Sequence, residues 1–291
     1  MSANEFELAR NAVRRSFDSA SALYDAHAVL QARVRGILLE RAGEVQAAPA
    51  VIADIGAGTG HASRALKRRF ARATVIGVDL AEGMLRAARR QQGWLRRFER
   101  VCADVERLPF ADASIDLAFC NLTLQWLTLP DRGFTEIGRV LRPDGWLYFS
   151  TFGPDTLAEL RAAWAAVDHY THVNRFVDMH DLGEALTRSG FADPVLDVEH
   201  FTLTYPDLRS LMRDLKAIGA HNVNAGRPRG LMGRRRLAAL TEAYETFRRD
   251  GQLPATYEVI FGRARAARQR AGRGDVAREI RIPVSRLSRR S

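Results

Sequence analysis

Cysteine is scarce in this sequence, with only Cys102 and Cys120 among 291 residues, and this excludes a disulfide-rich framework. Both cysteines lie within strand-like stretches, so we predict buried free thiols in a reducing cytoplasm. Long apolar runs are also missing, since no stretch reaches the roughly 18 uncharged apolar residues of a membrane span. The first fifteen residues mix acids with bases and lack an apolar core, which does not fit a secretory signal. These absences predict a soluble cytoplasmic protein.

Net positive charge is small over most of the chain, although the whole chain carries +10. Ten arginines and two acids between Arg263 and Ser291 give that segment +8, which leaves +2 for the first 262 residues. The segment has few large apolar residues, so we predict a disordered tail. It is either a solvated extension or an electrostatic docking arm. The nearly neutral body gives no indication of nucleic acid as a partner.

Short strand-like segments alternate with longer helix-like segments in the first half of the chain. The residues Leu30, Val34, Ile37 and Leu38 recur at helical spacing and predict an amphipathic helix ahead of the first strand. Strands are then predicted at 51–55, 73–78, 100–103, 115–120 and 146–151. Helices are predicted between them at 61–70, 82–91 and 132–141. This alternation indicates an α/β protein with a parallel, doubly wound sheet.

The alternation changes after residue 151. Helices are predicted at 155–168 and 178–189, and two strands, at 195–204 and 255–262, enclose further helical sequence. Helices inserted between the last two strands would lie over one end of the sheet, where an open α/β fold places a lid. We therefore divide the chain into a helical cap (1–44), a main domain (45–262) with a lid at about 206–250, and the tail (263–291).

A glycine-rich loop follows the first predicted strand and opens a helix. Its glycines are Gly56, Gly58 and Gly60, in the spacing GxGxG. Glycine lets the backbone turn sharply and approach a ligand closely, and the helix start adds inward-pointing amides. The dinucleotide fingerprint is GxGxxG, so this spacing favours a smaller ligand that presents amino and carboxylate groups. Alone, such a loop is also consistent with a tight turn.

Three carboxylates support the ligand-binding interpretation, because each lies at or near the end of a successive strand. They are Asp54, Asp79 and Asp104. Asp79 stands 23 positions after Gly56, where a carboxylate can accept hydrogen bonds from two ribose hydroxyls. Asp104 lies where an acceptor for an adenine amino group is wanted. The carboxyl ends of these strands therefore predict a nucleoside site.

Together, these residues resemble the class I methyltransferases that use S-adenosylmethionine, over about residues 45 to 155. The resemblance implies a Rossmann-like, seven-stranded sheet whose last strand is antiparallel. It also implies that Met84 packs near the adenine, although core packing is an open alternative, and that Asn121 lies near the transferred methyl group. We include Leu80 and Val105, which follow two of the carboxylates, among the predicted cofactor-binding residues.

Other stretches are similar to one family within that class. They are Phe17-Asp18-Ser19-Ala20, Tyr24-Asp25, Asn121 to Trp126, Asn174-Arg175-Phe176, Leu215 to Asn222, Gly226-Arg227 and Thr256-Tyr257. They resemble the malonyl-acyl-carrier-protein O-methyltransferases of biotin synthesis, from about residue 10 to residue 265. The resemblance implies methylation of the free carboxylate of a malonyl thioester, with an acidic carrier protein as partner. The tail after Arg265 has no counterpart in the family pattern.

Residues for the acceptor side are predicted from what this chemistry needs. Arg175 would hold the carboxylate, because a planar guanidinium suits it, and Tyr24 and Trp126 would exclude water. We add Gln125 to this catalytic set. Lys216, His221 and Arg227 would contact the carrier protein or its phosphopantetheine phosphate. Surface, packing or solvated positions remain open for each, and no metal site is predicted, since His221 has no second ligand at metal-binding spacing.

Three other functions remain open. One is a relative with the same body that modifies a protein side chain during assembly of a respiratory complex. Another is a protein that binds S-adenosylmethionine without turnover. The last is an RNA methyltransferase anchored by the tail, which the absence of an Asn-Pro-Pro-Tyr or Asp-Pro-Pro-Tyr element disfavours.

Overall fold

Seven strands form a single sheet in the computed structural model, which describes residues 10–44, 48–219 and 233–267. The strands are β1 (Val51–Ile55), β2 (Thr74–Asp79), β3 (Glu99–Cys102), β4 (Ile115–Asn121), β5 (Leu141–Phe152), β6 (Phe191–Tyr205) and β7 (Leu253–Ala266). Their order in the sheet is β3-β2-β1-β4-β5-β7-β6. The first five strands are parallel, and β7 runs antiparallel to both β5 and β6. The predicted fold, with an antiparallel last strand, is confirmed.

Helices cover both faces of this sheet. They are α1 (Arg10–Ala20), α2 (Tyr24–His27), α3 (Val29–Arg41), α4 (His61–Arg69), α5 (Glu82–Gln91), α6 (Pro130–Val140), α7 (Ala158–Ala165), α8 (Met179–Arg188), α9 (Leu208–Ala217) and α10 (Arg234–Glu245). One buried cluster joins α3, α4, α7, α9 and α10 to the sheet, and the other joins α6 and α8 to it. Burial on both faces explains why the central strands read as continuous apolar runs.

The carboxyl ends of β1 to β5 meet at one edge of the sheet, because parallel strands end on the same side. The strand order reverses between β1 and β4. Open α/β sheets bind ligands at the carboxyl ends of their strands, beside such a reversal. The short helices α1 and α2 precede β1 and pack near this edge, where α1 contacts α5 and α2 contacts α9. The amino-terminal segment therefore covers the edge at which the glycine loop and its neighbouring carboxylates lie.

The predicted lid helices, α9 and α10, lie between β6 and β7 in the chain, as expected. They do not form one lid, because each packs against a different part of the protein. The residue after α9, Ile218, reaches the cavity at the sheet edge, and α9 also contacts α2. In contrast, α10 packs on α7 through the buried residues Leu240 and Tyr244. Among the described residues, no helix has both the length and the apolar character required to cross a membrane.

Two predictions from sequence need correction. Cys102 is exposed rather than buried, because β3 is the edge strand of the sheet; Cys120, in the central strand β4, is buried as expected. The boundary at residue 262 falls inside β7, which continues to Ala266. Ala264 and Ala266 are buried, and Arg265 forms an ion pair with Asp193, so these residues belong to the sheet rather than to a tail.

Candidate active site

The glycine loop connects β1 to α4 in a conformation that side chains resist. Gly56, Gly58 and Gly60 have φ angles of +74°, +54° and +79°. A Cβ atom at Gly56 would lie 1.9 Å from the hydroxyl oxygen of Thr123, and one at Gly60 would lie 2.6 Å from the Phe98 ring. The left-handed backbone and this close packing both require glycine. The loop can therefore approach a ligand with backbone atoms alone.

Asp79 ends β2 beside this loop and is held by backbone amides. Its Oδ2 atom accepts from the Gly58 amide and its Oδ1 atom from the Ala81 amide, each at 2.8 Å. Desolvation raises the pKa of Asp79 to about 6, although these hydrogen bonds act in the opposite direction. The carboxylate lines the cavity in a fixed orientation, as an acceptor of hydrogen bonds from a ligand requires.

Asp54 occupies a different position from the one predicted, because it lies behind the loop. It is 1% exposed, it accepts a hydrogen bond from the Ser63 hydroxyl, and it does not line the cavity. Burial raises its pKa to about 7, while the Ser63 hydroxyl lowers it. Asp54 therefore ties β1 to α4 beneath the loop, and Gly60, at the start of α4, also lies away from the cavity wall.

Asp104 and Glu106 follow β3 and pair with arginines from other elements. Arg10 Nη1 lies 2.9 Å from Asp104 Oδ2, and Arg10 also bonds to Glu106. Arg132 Nη1 lies 4.0 Å from the same Glu106 carboxylate. All four side chains line the cavity. The charged residues of the cavity wall are thus concentrated on the side where β2 and β3 end.

Besides the ion pairs of Arg10, a second contact holds α1 over this side of the cavity. Asp18 Oδ1 accepts a hydrogen bond of 2.8 Å from the amide of Gly83, in the first turn of α5. The Phe17 ring meets the Trp126 ring edge-on, with centroids 5.2 Å apart, and the Tyr24 ring at 6.5 Å. Phe17, Tyr24 and Trp126 all line the cavity, so aromatic rings from α1, α2 and the segment after β4 share one wall.

The segment after β4 forms a tight turn that depends on a glutamine side chain. Leu122 has a φ of +49°, and Gln125 Nε2 donates to its carbonyl oxygen across 2.7 Å. Gln125 Oε1 accepts from the Thr151 hydroxyl at 3.5 Å. Asn121 Oδ1 accepts from the Ser150 hydroxyl at 3.1 Å. Both amide side chains are therefore engaged with neighbouring protein groups.

These elements enclose a cavity of about 380 Å³ along the carboxyl edge of the sheet. Where β1, β2 and β3 end, its wall contains Gly56, Gly58, Asp79, Leu80, Asp104, Val105 and Glu106. Where β4 and β5 end, its wall contains Asn121, Leu122, Thr123, Gln125, Trp126 and Phe152. The basic residues among the described lining are Arg10 and Arg132, on the first side. The described wall at the ends of β4 and β5 is uncharged.

The structure brings most of the predicted residues to this cavity. Besides the wall residues just named, Met84 and Tyr24 line it. Burial and the neighbouring Asp79 raise the pKa of Tyr24 well above its ordinary value, so its hydroxyl is neutral. Asp54, Gly60, Arg175 and Lys216 are not among the lining residues, and both Arg175 and Lys216 are exposed. His221 and Arg227 lie outside the described residues.

Sequence reasoning missed several lining residues. They are Arg10, Gln31 and Phe152, together with Phe17 and Ile218, which entered only through the resemblance. Arg10 and Phe17 share α1, but the others come from separate elements, so no single local spacing joins them all. Gln31 could have drawn notice as a polar residue beside the apolar stripe of α3, yet its burial depends on packing against β4.

A group of candidate metal ligands lies outside the cavity. Asp155, His200 and Glu258 offer ligand atoms within 4.8 Å of one another, and Asp155 and His200 are exposed. None of them lines the cavity. The prediction that the reaction uses no metal is not tested by this arrangement.

The chain is similar to characterised families in both sequence and fold. Residues 53–149 match the family model described as a methyltransferase domain. The malonyl-acyl-carrier-protein O-methyltransferase of a Methylovorus species is 53% identical over 270 residues, which cover 91% of each chain. The protein of the same name from Halorhodospira halophila is 49% identical over 283 residues, covering 97% of this chain and 96% of the relative.

Among solved structures, a phosphoethanolamine N-methyltransferase of Haemonchus contortus in complex with S-adenosyl-L-methionine shares the fold. It superposes with a TM-score of 0.52 at 17% identity, over 86% of this chain and 57% of that one. At this identity the likeness concerns the fold alone.

Proposed function

Since the chain belongs to the family of malonyl-acyl-carrier-protein O-methyltransferases, we propose that it methylates the free carboxylate of a malonyl thioester carried by acyl carrier protein. The observation that carries the proposal is the division of the cavity along the sheet edge. Its charged side, with the glycine loop, suits a nucleoside methyl donor. Its uncharged side suits a reaction in which two opposite charges disappear.

S-adenosylmethionine, when bound, supplies the methyl group on a sulfonium cation. The residues present fit it, because the loop at Gly56 offers bare backbone and Asp79 is an oriented carboxylate at the wall. We assign the ribose hydroxyls to Asp79 and the adenine amino group to Asp104, which must then share its carboxylate with Arg10. Leu80, Met84 and Val105 pack near the adenine, and Asn121 lies near the transferred methyl.

The uncharged wall favours the chemistry for an electrostatic reason. A carboxylate and a sulfonium are both charged before transfer, whereas the ester and the thioether that form are neutral. An environment that solvates charge poorly raises the energy of the reactants more than that of the transition state. Tyr24, Trp126 and Phe152 provide such an environment, and their rings exclude water from the reacting atoms.

The proposed acceptor needs no general base. A carboxylate is already ionised at neutral pH, so the enzyme only has to orient it in line with the methyl group and to keep it close. This agrees with the described wall at the ends of β4 and β5, which carries no ionisable side chain suited to take a proton at neutral pH. Because an ionised carboxylate needs no activation as a nucleophile, we also propose a reaction without a metal-dependent step.

The predicted role of Arg175 is not supported by its position. Its side chain is exposed and does not line the cavity, although the next residue, Phe176, packs edge-on against Phe152 with centroids 5.6 Å apart. The role proposed for Lys216 is compatible with its exposed position near the end of α9, because Ile218, two residues later, reaches the cavity. We propose that Lys216, with His221 and Arg227, contacts the acidic carrier protein.

The product explains why such a reaction is useful. Methylation removes the charge of the malonyl end, so the ester can enter the apolar pockets of fatty-acid synthesis as a primer. We infer that it leads to the pimeloyl chain of biotin and that the reaction takes place in the cytoplasm.

The decisive test is methyl transfer from labelled S-adenosylmethionine to malonyl carrier protein, malonyl coenzyme A and acetyl carrier protein in parallel. We expect label in both malonyl substrates and none in the acetyl one, and the ratio between the first two measures the contribution of the carrier protein. Asp79→Ala, which removes the proposed ribose acceptor, should abolish the signal. Absence of label from every substrate, with the donor still bound, would favour a protein-modifying or non-catalytic role.

A further inference from the structure

A buried glutamine lines the uncharged side of the cavity. Gln31 lies in α3, is 9% exposed and forms part of the cavity wall. Its backbone carbonyl accepts from Asn121 Nδ2 at 3.4 Å, which places it where β4 ends. It therefore lies at the side of the cavity where Asn121 and Phe152 are, away from the arginines that pair with Asp104 and Glu106.

The side-chain amide of Gln31 is not satisfied by the described part of the protein. Its Oε1 atom is buried without a hydrogen-bond partner, and no described hydrogen bond uses either end of its side-chain amide. In contrast, the amides of Asn121 and Gln125 are engaged by Ser150, Thr151 and Leu122. Leaving a buried amide unpaired is costly, so its retention at a cavity wall points to a ligand that completes its bonding.

We propose that the amide of Gln31 binds the reacting carboxylate of the acceptor by donating an N–H to one of its oxygens. This inference rests on the proposed function. Nε2 is not among the buried atoms that lack a partner, and no described hydrogen bond uses it, so this end of the amide is accessible and can donate. The other carboxylate oxygen remains available to attack the methyl carbon: a C–O bond forms, the C–S bond breaks, and its electron pair goes to sulfur.

A neutral donor suits this reaction better than a cation. The negative charge of the carboxylate is lost during transfer, so a guanidinium would stabilise the reactant more than the transition state and would slow the step. An amide orients the carboxylate and holds its charge less strongly. This explains how the wall where β4 and β5 end can bind a carboxylate without a described Arg or Lys among its lining residues.

The experiment compares Gln31→Ala and Gln31→Glu with the unsubstituted protein, using malonyl carrier protein and labelled S-adenosylmethionine. Binding of S-adenosylmethionine is measured separately by calorimetry. Gln92→Ala is the matched control, because the Gln92 amide bonds to the Phe98 carbonyl and to Arg100 and does not line the cavity. Inhibition by the methyl ester of the malonyl thioester, which lacks the charged oxygen, is measured for each variant.

We expect Gln31→Ala to lower kcat/KM by about 10- to 100-fold, the effect of losing a hydrogen bond to a charged group, with donor affinity changed less than twofold. Gln31→Glu should lower kcat/KM further, since two carboxylates then face each other. Inhibition by the neutral ester should change little in Gln31→Ala, so the loss is specific to the charged oxygen. Gln92→Ala should keep the activity of the unsubstituted protein.

Either of two results would overturn this inference and leave the proposed function intact. One is unchanged kcat/KM in Gln31→Ala. The other is weaker donor binding in Gln31→Ala together with retained or tighter binding in Gln31→Glu, which would assign the amide to the ammonium group of S-adenosylmethionine. If the unsubstituted protein itself transfers no label to malonyl carrier protein, the proposed function fails and the inference falls with it.

Discussion

The side chain of Gln125 donates a hydrogen bond of 2.7 Å to the carbonyl of Leu122, a residue whose φ is +49°. A branched side chain in this left-handed conformation costs roughly 1 kcal/mol, which surrounding contacts have to offset. The turn presents Leu122 and Trp126 to the cavity. Gln125 is thus better described as a positioning residue than as the catalytic residue that the sequence suggested.

Replacing Gln125 tests this role. Gln125→Met keeps the length of the side chain but loses the hydrogen bond, so the turn relaxes and the acceptor wall loses its shape. We expect kcat to fall by about tenfold and the free energy of unfolding to fall by about 1 kcal/mol, with little change in donor affinity. Steady-state kinetics, urea unfolding and calorimetry measure the three quantities. A variant as active as the unsubstituted protein would show that the turn does not depend on this bond.

Donor binding should depend on pH through Asp79. The pKa of this carboxyl is raised to about 6, and only the ionised form accepts hydrogen bonds from both ribose hydroxyls. The affinity for S-adenosylmethionine should therefore be constant above about pH 7 and fall below pH 6, by at most about tenfold per pH unit. Calorimetry between pH 5 and 8 measures this, and Asp79→Asn should bind weakly at every pH. The same slope in that variant would assign the pH dependence to another group.

The stability of the ligand-free protein should depend on pH through Asp54. Burial raises its pKa to about 7 from an ordinary value of 3.8, so the folded state retains a proton that the unfolded chain releases near pH 4. Stability is therefore lost as pH rises from about 4 to 7, by an amount on the order of a few kcal/mol. Asp54→Asn keeps an acceptor for the Ser63 hydroxyl and should be the more stable protein at pH 8, with little difference near pH 4.

Urea unfolding at several pH values measures this difference. Asp250→Asn is the matched control, because Asp250 is exposed in a turn with a φ of +48°, a conformation that asparagine also accepts. Its unfolding free energies should follow those of the unsubstituted protein. Parallel curves for Asp54→Asn and the unsubstituted protein would refute the assignment.

The glycine loop and its neighbouring carboxylates were predictable because their signals are local. A strand, a GxGxG loop and a helix stand in sequence order. Asp79 ends one strand and Asp104 follows the next, so strand order alone brings them to one edge. The exception is Asp54, whose side chain points to Ser63 rather than to the cavity. Side chains alternate between the two faces of β1, and this alternation determines the direction of Asp54. Because both faces are buried, the apolar pattern of the strand does not show which face a given residue is on.

The acceptor side was less predictable, because it is assembled from distant elements. Gln31 from α3, Phe152 from β5 and Ile218 after α9 meet only through tertiary packing. Arg175 was selected for its chemistry, but it lies in the irregular segment between α7 and α8, where no periodicity indicates which way a side chain points. The exposure of Cys102 likewise follows from the position of β3 at the sheet edge, which strand order determines.

The attachment of α1 should control donor exchange. Asp18 accepts from the Gly83 amide and so caps α5, whose own N-cap residue, Ala81, makes no side-chain cap. Asp18→Ala should cost about 1 kcal/mol of stability and increase hydrogen exchange in α1, since the helix loses its anchor. Because Val13 and Phe17 of α1 line the cavity, donor dissociation should become several-fold faster. Asp18→Asn, which keeps an acceptor, should behave like the unsubstituted protein. Equal dissociation rates in all three proteins would show that the attachment of α1 does not control donor exchange.

The two possible carboxyl-terminal boundaries predict opposite results on truncation. A chain that ends after Ala267 keeps the whole of β7 and the bond from the Ala267 amide to the Gly190 carbonyl, so it should fold and methylate malonyl carrier protein normally. A chain that ends after Gly262 loses the pairing of Arg263, Ala264 and Arg265 with β5. It also loses buried apolar surface from Ala264 and Ala266, so its free energy of unfolding should fall by several kcal/mol.

Thermal unfolding and the methyl-transfer assay distinguish the two truncations. Loss of activity in the longer one, with folding intact, would assign a role in catalysis to residues 268–291, and salt-sensitive RNA binding lost with them would support the nucleic-acid alternative.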